Sequence, residues 1–275
     1  METQKTQTKL VNFFILSFVI SWLLWLAPLL RSNDLIQLPE FTEIFGMFAP
    51  FGPFIAAFWL TRQRGGQAGT RSLWKRGWSL NFDKKWLIPT ILLMPVAGLV
   101  TIAVLTLMGQ SIQWEFGISF GAAIPTFIII YLVNALPEEY GWRGYALEPM
   151  QTRFNALTAS LMLGAIWGLW HLPLHFIEGT VQANIPVYQF ILQQMVLAVF
   201  YTWLFNNTKG SVFIAILFHT IANLAGAALP YWITDQGRWV GFFVQLLFAI
   251  TIILVWGPQR LGPSPSNEPG SRENE

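Results

Sequence analysis

The chain reads as an all-α, polytopic membrane bundle of about eight transmembrane helices, and three observations predict it. Of its 275 residues 54% are hydrophobic and 11% charged, whereas a typical soluble domain is about 25% charged, so a soluble fold could not hide this much apolar surface. The apolar residues come in runs close to the ~20 that the hydrocarbon core of a bilayer demands of a helix. Lysine and arginine gather in alternate connections between those runs, the asymmetry that orients membrane helices.

The first run, 12–30, follows Lys5 and Lys9. It exceeds the apolar region of a typical signal peptide and no small-residue cleavage site follows, so it is expected to stay as an anchor behind a cytoplasmic segment, 1–11. Further runs fall at 44–61, interrupted by Pro50 and Pro53, and at 86–107, 118–136, 156–172, 185–205, 211–229 and 239–256. In the fourth, Pro137 lacks a backbone donor and crowds the preceding turn, which predicts a kink. The carbonyls so freed are tolerable at membrane depth beside a hydrated cavity. Residues 257–275, rich in Pro, Ser, Gly and Glu, are expected to form a disordered cytoplasmic tail. With no internal repeat, 12–256 is read as one membrane domain.

With the N-terminus in the cytoplasm, 14 of the 16 cations fall on the cytoplasmic side and only Arg31 and Arg238 outside. An even number of spans with both termini cytoplasmic follows, in what is expected to be a prokaryotic plasma membrane. The connection from Arg62 to Lys85 holds seven of those cations together with Trp74 and Trp78, a composition suited to the anionic inner leaflet of a lipid bilayer. The absence of cysteine excludes thiol catalysis, thiolate metal sites and disulfides. No basic cluster is interleaved with stacking aromatics, so nucleic acid is not an expected partner.

Against this apolar background the ionisable residues inside the runs stand out, because charge at membrane depth is costly and marks function by default. They are Glu138, Glu139 and Arg143 directly after the fourth run, His171 in the fifth and His175 directly after it, and His219 in the seventh, with Asn223 one turn later. Glu139 with Arg143, Trp167 with His171, and His219 with Asn223 are each four residues apart and so share a helical face. At 1.5 Å per residue, and with the fourth helix continuing to Glu148, Glu138 and His219 lie roughly 15 Å and His171 roughly 22 Å from the cytoplasmic end. All three then fall in one slab of a core about 30 Å thick.

Glu138 and Glu139, being neighbours on a helix, point about 100° apart. Glu139 is set for an ion pair with Arg143, which leaves Glu138 as the candidate base; a purely structural ion pair is the competing reading, and Arg143 neutralising both acids is another. His219 and Asn223 can present donors to a developing oxyanion, or His219 can ligate a metal. Trp167 is read as packing. His175 follows His171 at a spacing zinc could use, but Pro173 intervenes and the segment is nearing the outer surface. The H-E-x-x-H helix of zinc peptidases is absent.

In order and spacing these residues resemble the motifs of the CPBP intramembrane peptidases, the family that includes the type II CAAX prenyl endopeptidases and the Abi-type proteins. E-E-x-x-x-R stands as Glu138-Glu139-Tyr140-Gly141-Trp142-Arg143, an aromatic-x-x-x-H motif as Trp167 to His171, with Trp where Phe is usual, and H-x-x-x-N as His219 to Asn223. The resemblance covers about 120–230. It implies an eight-helix fold with a conical cavity open to the cytosolic side and the membrane. It also implies an endopeptidase acting on a membrane-tethered peptide or protein, in which Glu138 and His171 activate water while His219 and Asn223 stabilise the oxyanion. A zinc cofactor held by Glu138, His171 and His219 is the alternative to a metal-free glutamate mechanism. A proton-coupled transporter and a catalytically silent immunity or binding protein are the competing functions; inverted repeats would favour the first, lost motif residues the second.

Overall fold

A computed structural model describes residues 2–112 and 120–262, and its described residues contain helix and no strand. Eight long helical segments are laid out among them: α1 (Glu2–Ser32), α2 (Phe51–Arg76), α3 (Leu87–Leu107), α4 (123–151), α5 (Ala156–Trp170), α6 (Val187–Asn207), α7 (Val212–Ala228) and α8 (Asp235–Trp256). By length and apolarity five of them can cross a bilayer, or six if the bent pair of Glu40–Met47 and α2 counts as one span. That is fewer than the sequence suggested, for two local reasons. The 17-residue α7 is short, about 26 Å at 1.5 Å per residue, and α4 is interrupted.

The interruption concerns the site directly. Helical backbone continues through Pro137, and the turn before it is widened. Residues Ile130–Ala135 form a π-helix, in which the Leu136 N–H reaches back to the Tyr131 carbonyl. A regular turn, Leu136–Gly141, carries the two glutamates, and a second π-helix, Trp142–Leu147, follows. Single π turns inside α-helices recur at functional sites because each one re-aims the side chains beyond it.

The cation-rich connection is likewise not an irregular loop. The helix α2 runs on to Arg76 and folds back at Gly66, whose φ of +58° and ψ of −149° break the helix, a conformation essentially confined to glycine. Trp74 of the returning leg stacks on Tyr140 of α4 with ring centroids 5.5 Å apart, and the Tyr140 hydroxyl donates to the Trp74 carbonyl at 2.7 Å. Arg76 reaches Glu148 and the carbonyls of Gly144 and Gly210.

The central pair is α5 against α6. A Cβ at Gly164 would lie 2.6 Å from Met195 Cα, and one at Gly168 3.0 Å from Ile191 Cα. This is the small-xxx-small pattern by which membrane helices approach closely, and it sets Trp167 and His171 in the interior. Peripheral helices turn large apolar residues outward, among them Leu23, Ile88 and Leu254, as a lipid-facing surface requires. The chain beyond α8 is tied down as far as Leu261, where a disordered tail was expected to have begun. Gln259 and Pro258 carbonyls accept from the Ala156 and Leu157 amides, and Asn206 and Asn207 hold the Arg260 and Leu261 carbonyls. The rest of that segment, 263–275, lies outside the described residues.

Candidate active site

Four helices bring the sequence-predicted residues to one cavity of about 480 Å3: Glu138 from α4, His171 at the end of α5, and His219 and Asn223 from α7, with α6 supplying Gln194 and Leu197 to its wall. The shared depth inferred from helical rise is thus matched by a shared space. Three of the residues are nonetheless almost fully buried, Glu138 at 3%, His219 at 4% and His171 at 8% exposed, so the cavity is a narrow one lined by costly groups.

The two glutamates part company as their 100° offset requires. Glu139 is fully buried and its charge is compensated: Arg143 Nη1 lies 3.0 Å from both carboxylate oxygens, and His219 Nδ1 donates to Oε1 at 2.8 Å. A single guanidinium nitrogen spans both oxygens, so the contact is not a side-by-side fork. The rest of the Arg143 guanidinium lies over Tyr201, 3.8 Å from the ring centroid, and over Trp167 at 4.8 Å. Those π faces receive the Nε and Nη2 groups, which have no hydrogen-bond acceptor, and a desolvated cation over an aromatic ring is worth ~2 kcal/mol. Arg143 therefore serves Glu139 and does not neutralise both acids.

Among the described residues no arginine or lysine pairs with Glu138. Its Oε2 accepts from the Trp167 indole at 2.6 Å and, more weakly, from the Trp142 indole at 3.4 Å. Trp167, read from the sequence as packing, is a direct partner of the candidate base; a donor four residues before His171 on a neighbouring helix was signal enough to suspect it. Its ring also packs against both imidazoles, with centroid distances of 5.8 Å to His171 and 5.6 Å to His219.

Each imidazole is oriented through Nδ1. In His171 this nitrogen faces the Trp167 carbonyl at 2.8 Å, an acceptor only, so Nδ1 carries the hydrogen and Nε2 is left for water or substrate. His219 is held the same way by Glu139. Such outer partners fix the tautomer and aim of a working imidazole. His175 is apart from this group: it does not line the cavity, its Nδ1 contacts the Ile185 carbonyl at 3.0 Å, and its Nε2 is buried without a partner.

A zinc ion would need three of these groups to converge on one point at roughly 2 Å each. Among the described residues no three His, Asp or Glu side chains are grouped closely enough to hold a metal. The physical reason is visible in the partners: Trp167 occupies Glu138 and wedges against both rings. For Glu138, His171 and His219 to hold a zinc ion together, the Trp167–Glu138 hydrogen bond would have to open and the three side chains draw closer.

Comparison with known proteins agrees with the geometry. The family model described as Type II CAAX prenyl endopeptidase Rce1-like matches residues 120–225, the stretch that holds every cavity residue named in the three motifs. A protein of Methanococcus maripaludis named CAAX prenyl protease 2 is 30% identical over 260 residues, which cover 88% of this chain and 92% of that protein. With a relative matched over nearly its full length and the three motifs gathered around one buried cavity, the chain belongs to the Rce1-like type II CAAX prenyl endopeptidases, proteases embedded in the membrane.

Proposed function

We propose that the chain hydrolyses a peptide bond in a membrane-tethered protein or peptide, using Glu138 and His171 to activate water and His219 with Asn223 to stabilise the oxyanion. The observation that carries the reading is the division of labour between adjacent acids: Glu139 is paired with Arg143 and buried behind the site, whereas Glu138 lines the cavity with no arginine or lysine paired to it.

In the proposed reaction, water bridges the Glu138 carboxylate and His171 Nε2. Glu138 takes a proton from it as the water oxygen bonds to the scissile carbonyl carbon, and the carbonyl π pair moves onto oxygen. The resulting oxyanion accepts hydrogen bonds from the Asn223 amide and from Nε2–H of His219 in its imidazolium form, whose other N–H is held by Glu139. Pre-aimed donors of this kind are each worth ~3 kcal/mol in the transition state. The C–N bond then breaks, and the proton held on Glu138 passes to the leaving amine. The low-dielectric wall keeps bulk water from competing for these donors.

The test is cleavage of membrane-tethered peptides in one detergent by the parent protein and by Glu138→Gln, with products identified by mass. Cleavage by the parent and a loss of ~10³-fold in the variant is expected, in the range that general acid–base catalysis supplies. A Glu138→Gln protein that is folded and as active as the parent overturns the assignment. Activity that survives exhaustive chelation is expected from a site worked by side chains alone.

A further inference from the structure

Two polar side chains of the cavity wall have no part in the proposed chemistry and no partner in the protein. Asn134 precedes Glu138 by four residues on α4, Gln194 stands on α6, and both line the cavity together with Asn223 of α7. Among the described residues neither side chain makes a hydrogen bond, and the Gln194 Oε1 is buried without a donor. Asn134 interrupts an apolar run, with Leu132 and Val133 before it and Ala135 and Leu136 after it, and lies in the π-helix Ile130–Ala135.

An amide left open inside an apolar bundle is costly, because the surrounding lipid and aliphatic groups give it nothing to bond. Elsewhere in this bundle such groups find one another, as polar side chains of membrane helices do. Gln193 Nε2 donates to the Gln245 Oε1 at 2.7 Å, and Gln151 and Asn206 exchange hydrogen bonds of 3.1 and 2.8 Å. Asn134 and Gln194 depart from that pattern at the wall where a substrate would lie.

A peptide drawn into such a cavity carries an N–H and a C=O on every residue except proline, and each must be satisfied once water is left behind. A carboxamide holds an N–H donor pair and a carbonyl acceptor, so it can bond either group of a peptide unit without adding a charge. Wall residues such as Leu174, Phe190, Leu197 and Ala222 offer the main chain no such partner through their side chains. We propose that Asn134 and Gln194 bind the main chain of the substrate, holding an extended peptide across Glu138 and His171 so that the scissile carbonyl meets Asn223. Recognition of this kind selects for a peptide backbone and tolerates change in its side chains. It rests on the reading of this cavity as a peptidase site, so binding and cleavage are measured apart.

Fluorescent versions of the membrane-tethered peptides are made as a series in which each backbone amide in turn becomes an ester, which removes one N–H and weakens one acceptor. Their binding is measured in detergent to the full-length Glu138→Gln protein, which holds the peptide uncut, and to the same protein carrying Asn134→Leu or Gln194→Met. Each added substitution keeps the volume and removes the amide. It is expected to weaken binding of the all-amide peptide ~3- to 10-fold, the span of a neutral hydrogen bond. For one ester peptide of the series it should weaken binding no further, because the bond it removes is already gone. Alanine at either position replaces a variant that fails to fold. Undiminished binding in a variant overturns the assignment of that residue, and a loss of equal size for every ester peptide overturns the proposal. Cleavage by the parent without this coupling removes the inference and keeps the peptidase reading; coupled binding without cleavage does the reverse. Peptides neither bound nor cut remove both.

Discussion

Glu138 and Glu139 are consecutive in the chain and almost equally buried, yet they sit in opposite surroundings. On one side of the α4 turn a carboxylate is locked to an arginine and an imidazole, with a tyrosine ring covering the guanidinium. On the other, a carboxylate is hydrogen-bonded only by two neutral indoles and lines the cavity. The difference teaches that burial alone does not mark a reactive group. A buried charge with its countercharge in contact is a scaffold, and a buried charge held only by neutral dipoles at a cavity wall is the one available to move a proton.

Substituting the two acids separately breaks this comparison most directly. Glu138→Gln keeps the shape and is expected to leave a folded protein with activity down ~10³-fold. Glu139→Gln leaves Arg143 buried without its counterion, and breaking a buried pair in this way costs ~3–5 kcal/mol. It should therefore lower thermal stability in detergent as well as activity, because His219 keeps an amide acceptor but loses the carboxylate charge that holds its ring. Thermal unfolding of both variants beside the parent decides: a destabilised Glu138→Gln with an unaffected Glu139→Gln would reverse the roles.

Arg143→Lys sharpens the same contrast with a smaller effect. One guanidinium nitrogen makes both contacts to Glu139, so an ammonium can replace the charge. What lysine cannot replace is the flat cation over Tyr201 and Trp167, since stacking is a property of the guanidinium. The expected outcome is a folded enzyme with kcat reduced ~10-fold, the rate equivalent of about 1.4 kcal/mol. Arg143→Met, which removes the charge, should be far worse in stability; equal behaviour of the two variants would show that charge compensation is not what Arg143 supplies.

Much of this could be read from the chain and some could not, for physical reasons. Apolar run length and cation asymmetry report on solvent, so the all-helical membrane class was legible, and a common depth for Glu138, His171 and His219 followed from a fixed rise per residue. A rise of 1.5 Å presumes α-helix throughout, however, so the π segments on either side of Leu136–Gly141 were invisible, and the sequence showed at Pro137 only a missing donor and not the widened turn before it. The Glu139–His219 and Glu138–Trp167 contacts join different helices. Which way an indole or imidazole points across such an interface is set by packing at Gly164 and Gly168, not by spacing within one helix.

Trp167→Phe isolates the neutral half of the comparison. Phenylalanine, the usual residue of the motif, keeps a ring between the imidazoles but has no N–H for Glu138. A hydrogen bond to a charged group is worth ~1.5–3 kcal/mol, and part of that is recovered by Trp142 and cavity water. A loss of ~3- to 10-fold in kcat/KM with unchanged stability is expected on that scale. An unaltered kcat/KM would return Trp167 to packing alone.

The smallest effect separates two histidines one turn apart. His171 lines the cavity with Nε2 unengaged, whereas His175 points to the Ile185 carbonyl and away from the cavity. Their residue type, spacing and apolar setting are the same, so sequence alone ranks them only by Pro173 and by nearness to the surface. His171→Ala should cost nearly as much as losing the whole constellation, because members of one catalytic unit are not additive. His175→Ala removes a single hydrogen bond that tethers the segment between α5 and α6, worth about 1 kcal/mol, and should leave kcat within ~2-fold. Parallel assays of the two alanine variants, with thermal unfolding as the control for fold, check this. An inactive but stable His175→Ala would mean that the reactive imidazole lies nearer the cavity mouth, and the rule that the uncompensated cavity-facing group does the chemistry would fail at its simplest instance.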